Sequence, residues 1–319
     1  EIGTDLRFLD NRISVDFTYY NRTTDNQIFS VPLSSASGYT VQYANAAEVN
    51  NKGIELLVSG KILRSKKKDG FNWNTSVNFT RNRNKVVALA AGLEKFTLGG
   101  LSTIGFWAVP GQPIGVYEGR VPETSPDGKG IVVDANGIPV AASEKEFYGN
   151  AQEKYILGLS NEFTWKGIGL SFTFDSRQGG LMFSRTADIT YFTGNGIKTT
   201  DNDRKPFVVP NSVTKIDNGD GTFSYVENTV AIDADHMDDY YRADALERHN
   251  VIDRSYIKLR ELALSYTVPK NFISKWPVAG IQVSAIGRNL FLWTPVDNQF
   301  IDPEVTSFGS DLASLYGEF

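Results

Sequence analysis

Apolar and polar side chains alternate with a period of two along several stretches of this sequence. The clearest run is 71–80, FNWNTSVNFT, in which Trp73, Val77 and Phe79 alternate with asparagine, serine and threonine. Because successive side chains of a β-strand point to opposite faces, this period predicts strands with one apolar and one polar face. The same alternation, or a close variant of it, occupies 4–8, 12–20, 52–62, 155–165, 168–175, 255–268 and 280–290. We therefore predict eight strands in four hairpins, and a change of phase near Arg260 and Glu261 predicts a β-bulge.

Short and long connections follow one another between these strands. Asp10-Asn11 and Lys166-Gly167 close hairpins, whereas roughly 21–50, 81–154, 179–253 and the residues from 291 onward connect one hairpin to the next. A compact soluble domain rarely has several structureless connections longer than ~15 residues. An outer-membrane barrel has short turns on one side and long loops on the other. The pattern favours an all-β, transmembrane antiparallel β-barrel segment with long extracellular loops, and a soluble β-sandwich remains the alternative fold.

Composition narrows the chemistry that this chain can perform. It has 319 residues with 20 Phe, 14 Tyr, 5 Trp, 2 His, no Cys and a net charge of −5. The absence of cysteine excludes a disulfide scaffold, a Cys-ligated metal site and a thiol nucleophile, and two histidines leave little for a multi-His site. The mildly acidic balance argues against a nucleic-acid groove. No apolar run reaches the ~18 residues of a membrane-spanning helix.

Six segments, spread over nearly the whole chain, carry a more specific pattern. They are EIG with NRIS in 1–14, GY, AN and NNKGIE in 38–55, FNW, NF and NRNKV in 71–86, GLSNEF in 158–163, SYIKLREL, LSY and P in 255–269, and GRNLFLWT and DPE in 287–304. In this order the segments resemble motifs of the SusC/RagA-like TonB-dependent outer-membrane transporters. Each segment alone is a weak signal, and six in family order form a strong one.

The resemblance implies a place for the chain in a larger protein. Residues 1–319 would be the C-terminal portion of a large plugged barrel, with about eight late strands, and the plug domain and first half of the barrel would not be in this chain. It also implies an integral protein of the bacterial outer membrane, surrounded by lipid, with extracellular loops and short periplasmic turns.

The same resemblance implies function and partners. The expected activity is import of a nutrient oligomer, an oligosaccharide or an oligopeptide, together with a SusD-like lipoprotein lid. TonB would act through the absent N-terminal part, and a dimer of transporter–lipoprotein pairs is compatible with the resemblance. We expect no cofactor, no bound metal and no nucleic-acid partner.

Import of an oligomer requires a wide cavity lined by aromatic and hydrogen-bonding side chains. Flat rings stack on sugar faces, and amides and carboxylates bond hydroxyl groups. Aromatic residues of the predicted loops are therefore candidate substrate contacts: Tyr39, Tyr43, Phe106, Trp107, Tyr191, Phe192, Tyr240 and Tyr241. Packing within the loops, or contact with the lid, is the alternative role for each of them.

Two further interpretations are weaker. The segment 217–221, DNGDG, resembles the oxygen-rich start of a calcium loop but lacks the bidentate Glu, and 222–226 after it favours a hairpin turn. Glu55, Glu162 and Asp175 could supply the two carboxylates of a glycosidase. A wet lumen gives no device for raising a carboxyl pKa, however, and the sequence has no nucleophile elbow or phosphate loop. We expect no enzyme, and a soluble all-β carbohydrate-binding or surface-adhesion module is the alternative function.

Overall fold

The structure, a computed structural model, describes residues 1–32, 36, 38–39, 41–67, 69–90, 93–100, 103–200, 202–298 and 301–304. The chain divides into two compact units. The sheet unit comprises 1–90, 152–180 and 254–296, and the loop unit comprises 91–151, 181–253 and the residues from 297. None of the helices in the described ranges has the length and apolar character needed to cross a membrane.

Strands dominate both units. In chain order the strands are β1 (Ile2–Phe8), β2 (Ile13–Pro32), β3 (Val41–Leu63), β4 (Asn72–Leu89), β5 (Phe96–Gly100), β6 (Ile104–Ala108), β7 (Val116–Pro122), β8 (Ile131–Val133), β9 (Ala141–Asn150), β10 (Tyr155–Trp165), β11 (Ile168–Gln178), β12 (Leu181–Phe183), β13 (Ser212–Asp217), β14 (Phe223–Glu227), β15 (Val251–Asp253), β16 (Tyr256–Thr267) and β17 (Gln282–Trp293). The helices are α1 (Arg185–Phe192), α2 (Met237–Arg242) and α3 (Lys270–Ile273), with 3-10 helices at Ile197–Thr200, Ala234–His236 and Asp244–Asn250.

The sheet unit is one eight-stranded antiparallel sheet in the order β1-β2-β3-β4-β10-β11-β16-β17. The eight predicted strands and four hairpins are confirmed. The predicted connection at 21–50 is wrong, because β2 and β3 continue with ladder pairs such as Thr23 with Asn50. Backbone hydrogen bonds build a ladder whether or not the side chains alternate, so the loss of alternation did not end the strands.

Cross-strand registry turns the alternation into two continuous faces. The apolar row runs across all eight strands through Leu6, Val15, Val58, Val77, Leu159, Phe174, Leu259 and Phe291. The neighbouring polar row runs through Arg7, Ser14, Ser59, Ser76, Ser160, Thr173, Glu261 and Arg288. Within the sheet unit the apolar face remains accessible, with Leu264 53% and Trp165 49% exposed.

The predicted β-bulge is present on β16. Register shifts between Leu259 and Glu261 in the pairing with β17, and between Thr173 and Phe174 on β11, leave Arg260 as the extra residue. Its Nε donates to Asp175 at 3.0 Å. An extra residue re-aims a side chain, and here it brings a guanidinium to a carboxylate on the adjacent strand.

A tight turn closes the β10–β11 hairpin of the sheet unit. The loop between β10 and β11 has two residues, Lys166 and Gly167, with φ of 48° and 82°. Two consecutive positive φ values define a type I′ turn, whose twist matches that of the flanking strands. A Cβ at Gly167 would meet the Thr267 carbonyl oxygen at 2.8 Å, so a side chain there would be both strained and crowded.

The loop unit contains three small sheets. One has the order β5-β6-β7-β9, another β14-β13-β8 with β8 and β13 parallel, and the third pairs β12 with β15. Its buried apolar cluster comprises Ile104, Phe106, Tyr117, Tyr148, Ala151 and Phe183. The segments 81–154 and 179–253 are therefore not structureless as predicted. Strands of three residues, such as β8 and β12, are too short for a period of two to be recognised.

The turn predicted at 217–221 is present between β13 and β14. The Gly219 amide donates to Asp217 Oδ1 at 2.8 Å, and the Asn218 amide donates to the Thr222 carbonyl at 3.1 Å. Over the described residues, no group of three or more acidic or histidine side chains is arranged to hold a metal ion.

Candidate functional site

Three of the predicted aromatic candidates meet within the loop unit. Tyr191, at the end of α1, stacks on Tyr241 of α2 with ring centroids 5.9 Å apart and an interplanar angle of 20°. Tyr240 is nearly perpendicular to Tyr241 at 5.1 Å and to Phe207 at 5.2 Å. We call Tyr191, Phe207, Tyr240 and Tyr241 the aromatic cluster. Residues about fifty positions apart in the sequence thus form one surface.

Polar side chains cap the N-termini of the helical segments that carry these tyrosines. The Ser184 hydroxyl accepts the Ala187 amide at 3.0 Å and so caps α1. Asp233 accepts the amides of Asp235 and His236 at 3.1 and 3.2 Å, at the start of the 3-10 turn that leads into α2. The hydrogen bond to His236 lowers the pKa of Asp233 and raises that of the imidazole.

A cavity of about 510 Å³ lies against the aromatic cluster. Its polar lining is formed by Lys198, Asn202, His249 and Asn250, and no acidic side chain is among the described residues that line it. The volume is within the ~300–1,000 Å³ of small-molecule sites, and aromatic walls with a few polar groups are typical of them. The cavity is the candidate functional site of the loop unit.

The charges that act on His249, at the wall of the cavity, are positive. Lys198 Nζ lies 5.7 Å from the centroid of the Tyr191 ring. His249 is exposed, but partial desolvation of its ring, and after that the positive charges of Lys198 and Arg248, lower its pKa, so the ring is mainly neutral at pH 7. Burial raises the pKa of Tyr240, so its hydroxyl remains protonated.

One buried acceptor on the cavity has no partner. Asn250 is 4% exposed, and its backbone carbonyl accepts the Ser184 amide at 2.7 Å. Its side-chain Oδ1 has no hydrogen-bond partner among the described residues. A buried carbonyl that stays unbonded costs about 1–3 kcal/mol, so a ligand donor at this point would be favoured.

The sheet-unit candidates lie apart from the aromatic cluster in the chain. Tyr39 follows β2 and is 71% exposed, and Tyr43 lies on β3 and is 74% exposed. Phe192, in the loop unit, ends α1 and packs under Arg242, whose guanidinium carbon lies 4.2 Å from the ring centroid. These three residues stay predictions as substrate contacts.

Phe106 and Trp107 occupy β6 instead of a free loop. Phe106 is 6% exposed and packs on Tyr117 with centroids 4.7 Å apart, which is the packing role that the sequence left open for it. Its role as a substrate contact stays a prediction. Trp107 is half-buried under Lys95, whose Nζ lies 4.5 Å from the ring centroid and donates to Glu118. Alternation on a short strand buries one of two adjacent aromatics, which the sequence pattern did not reveal.

Sequence reasoning missed Lys198, Phe207, His249 and Asn250 as cavity residues. None of them lies in a periodic run or a recognisable motif. They come from the 3-10 helices Ile197–Thr200 and Asp244–Asn250 and from the segment between α1 and β13. Only the folded loop unit brings these segments together.

A second concavity, of about 480 Å³, lies on the polar face of the sheet unit. Ser59, Ser76 and Ser160 of the polar row contribute to its lining, and Asn74 donates to Glu162 at 3.0 Å beside them. Asp175, on the same sheet, accepts from Arg260 and from the Tyr256 hydroxyl, the latter at 3.1 Å. The strand carboxylates Glu162 and Asp175 are thus held by polar neighbours.

The fold defines a class of protein. An antiparallel sheet with an apolar and a polar face, joined by long structured connections, is typical of a segment of an outer-membrane β-barrel. Residues 1–97 match the family model described as TonB dependent receptor-like, beta-barrel. The solved structure of the RagAB peptide transporter superimposes with a TM-score of 0.65 and 21% identity, over 92% of this chain and 31% of that chain.

Curated proteins of similar sequence are also TonB-dependent receptors. The chain is 25% identical to TonB-dependent receptor P3 of Formosa agariphila, over 95% of this chain and 30% of that protein. It is 24% identical to TonB-dependent receptor SusC of Bacteroides thetaiotaomicron, over 54% of this chain and 18% of that protein. The chain spans less than a third of the length of these curated relatives. The resemblance to SusC/RagA-like TonB-dependent receptors is confirmed.

Proposed function

We propose that this chain is the C-terminal portion of an outer-membrane barrel that imports a nutrient oligomer. In the whole protein a SusD-like lipoprotein closes over the cargo from outside, and TonB acts through a plug domain outside this chain. The observation that carries the proposal is the pair of apolar and polar rows that cross all eight strands of the sheet unit without interruption.

A lipid bilayer requires the arrangement that these rows have. Each backbone polar group must be bonded within the protein, and side chains that face lipid must be apolar. Serine, threonine and charged residues on the opposite face suit a water-filled lumen. A soluble carbohydrate-binding or adhesion module would leave the apolar face of Trp165 and Leu264 without a cover, which favours the transporter.

The connectivity supports an orientation. The connections within the four hairpins lie at one end of the strands, and the longer segments of the loop unit leave from the other end, between β4 and β10 and between β11 and β16. In barrels of this kind the short turns are periplasmic and the long loops extracellular. The cavity of the loop unit then belongs to the extracellular part of the protein, where cargo is captured.

The cargo belongs to the class of oligomers that aromatic, hydrogen-bonding cavities bind. The neighbour RagAB is described as a peptide transporter, and sugars are the other ligand class that such walls suit. We propose transport without catalysis, and no metal or cofactor takes part.

Uptake in the source bacterium tests this function. The gene of the whole protein is deleted and complemented, and growth is followed on oligosaccharides and on oligopeptides as sole nutrient. We expect the deletion to abolish growth on one of these oligomers, and the double change Tyr240→Ala with Tyr241→Ala to weaken it. Phe223→Ala is the control, an exposed loop-unit aromatic outside the cavity. A deletion strain that grows on every oligomer like the parent would refute the proposal.

A further inference from the structure

The aromatic cavity of the loop unit has the chemistry of a selective sugar site. We propose that it binds an acidic sugar residue of a glycan. The sugar ring packs on the aromatic cluster, its carboxylate or sulfate group meets Lys198, and one of its hydroxyls donates to Asn250 Oδ1. This inference rests on the proposed import function and names the substrate class that the cavity selects.

The aromatic rings of the cavity wall stand at an angle to one another and form an apolar corner. Tyr240 and Tyr241 are both partly exposed and stand at 75° to each other, and Phe207 stands at 86° to Tyr240. Tyr191 is 7% exposed and supports Tyr241 from behind. The C–H face of a pyranose packs against a flat ring, and two rings at an angle contact two of its sides.

The charge of the lining selects an anion. Lys198 is exposed and forms no ion pair with any described residue, and no acidic side chain among the described residues lines the cavity with it. The protein as a whole has a net charge of −5, so an unpaired cation beside an aromatic wall departs from its average. Carboxylate and sulfate oxygens accept charge-assisted hydrogen bonds from an ammonium group.

The buried amide requires a donor. Asn250 Oδ1 has no hydrogen-bond partner in the described part of the chain, and neutral His249, the preceding residue, offers one donor and one acceptor. Sugar hydroxyls can donate to the first and exchange either role with the second. A cationic ligand could donate to Asn250 as well, but Lys198 would repel it.

The structure favours a sugar over a peptide. One common mode of peptide recognition adds the extended peptide to an exposed strand edge through main-chain hydrogen bonds. No residue of β1–β17 lines the cavity, which is formed by helices, 3-10 helices and irregular segments of the loop unit. A ring with separate hydroxyl and acidic groups suits such a wall better than an extended backbone does.

Calorimetry on the full-length transporter, purified with its lipoprotein partner, tests the proposal. The probes are oligogalacturonides, sulfated galactan oligosaccharides, neutral galactan oligosaccharides of the same length, and an oligoglutamate peptide. We expect at least one acidic glycan to bind about tenfold more tightly than its neutral counterpart, and Lys198→Gln to remove that difference. Lys205→Gln is the matched control, because Lys205 is exposed, paired with Asp203 at 3.1 Å and outside the cavity.

Each other outcome has a defined meaning. The proposal is overturned if neither acidic glycan binds, if Lys198→Gln binds them like the parent, or if oligoglutamate alone binds with the same dependence on Lys198. Which of the two acidic glycans binds identifies the acidic group. A parent that grows on an oligomer in the uptake assay while Lys198→Gln changes nothing would leave the import function intact and remove only this inference.

Discussion

Glu247 shows what burial does to a single carboxyl group. The side chain is 6% exposed in the 3-10 helix Asp244–Asn250, and Asp188 of α1, paired with Arg185, is 6% exposed as well. Burial, and then the negative charge of Asp188, raise the pKa of Glu247 from 4.5 to about 7. A hydrogen bond with Thr103 and the charge of Arg185 oppose this shift, whereas the charge of Asp244 adds to it.

The raised pKa of Glu247 makes the folded state less stable as pH rises. Below the unfolded value both states are protonated, and the contribution of the carboxyl group to stability is complete. As pH rises from 4.5 to about 7, the unfolded chain ionises while folded Glu247 stays neutral, so stability is lost over that interval. The loss is on the order of 3 kcal/mol.

We predict that Glu247→Gln stabilises the loop unit at alkaline pH only. Hydrogen exchange of the amides in 185–192 and 244–250 should be slower in the variant than in the parent at about pH 8, and equal at about pH 4. The comparison at equal pH removes the intrinsic pH dependence of exchange. Glu144→Gln, an exposed change on β9, should leave exchange of both segments unaltered. Equal rates in parent and Glu247→Gln at both pH values would contradict a raised pKa.

In the sheet unit, the observed strands largely follow the alternation of apolar and polar residues in the sequence. The bounds of β10 agree with the predicted 155–165, and the bulge lies where the phase of alternation changes. β2 and β3 are longer than predicted, with 20 and 23 residues, because backbone pairs and hydrogen bonds between polar side chains continue the ladder beyond the alternating run. For example, Asn50 Nδ2 donates to Asn21 Oδ1 at 2.8 Å across that pair.

Adjacent positions on β4 should respond very differently to a charge. Val77 pairs with Val58 and Leu159 in the apolar row, whereas exposed Asn78 pairs with Leu57 and Gly158 on the other face. We predict that Val77→Arg costs ~2–4 kcal/mol near the bilayer midplane and that Asn78→Arg costs far less. The measurement is urea unfolding of the full-length barrel in lipid vesicles, read from its heat-modifiable gel migration.

A second pair on β11 provides an independent comparison. Phe172→Arg should behave like Val77→Arg, because both side chains lie on the apolar face of the sheet. Ser171→Arg should behave like Asn78→Arg, because both lie on the polar face. Equal losses for both members of each pair would refute the assignment of one face to lipid and the other to water.

The whole molecule combines two compact units with different origins in the sequence. The sheet unit collects three separate stretches of chain, and the loop unit is built from the two segments between them and from the residues that start at 297. The match to TonB-dependent receptors covers less than a third of each curated relative named above. The behaviour of the whole protein is therefore best tested on its full-length form.

Fractionation provides that test. We predict that the full-length protein sediments with the outer membrane, requires detergent for extraction, and migrates faster on gels before heating than after it. The physical reason is the continuous apolar face of the sheet, which water cannot cover without a large loss of free energy. Recovery in the soluble fraction would instead favour a carbohydrate-binding or adhesion module.

Much of the sheet could be predicted from the sequence because its determinants are local. Residues two positions apart lie on the same face of a strand, and a short turn between two strands defines a hairpin. The four hairpins and the bulge at Arg260 could therefore be predicted from neighbouring residues. The aromatic residues of the long connections could also be identified as candidates. The sequence could not predict which of these aromatic residues lie in the core and which line the cavity, since Phe106 and Tyr240 differ only in what packs against them.

The sequence by itself determined the period of the strands, the order of the hairpins and the family motifs, all of which depend on neighbouring residues. Only the tertiary structure decided the cavity, the raised pKa of Glu247 and the buried Asn250 Oδ1, which has no partner among the residues that the structure describes. These properties depend on contacts between segments tens of residues apart, such as α1 with the 3-10 helix Asp244–Asn250. Burial and charge at such contacts exist only when the chain has folded.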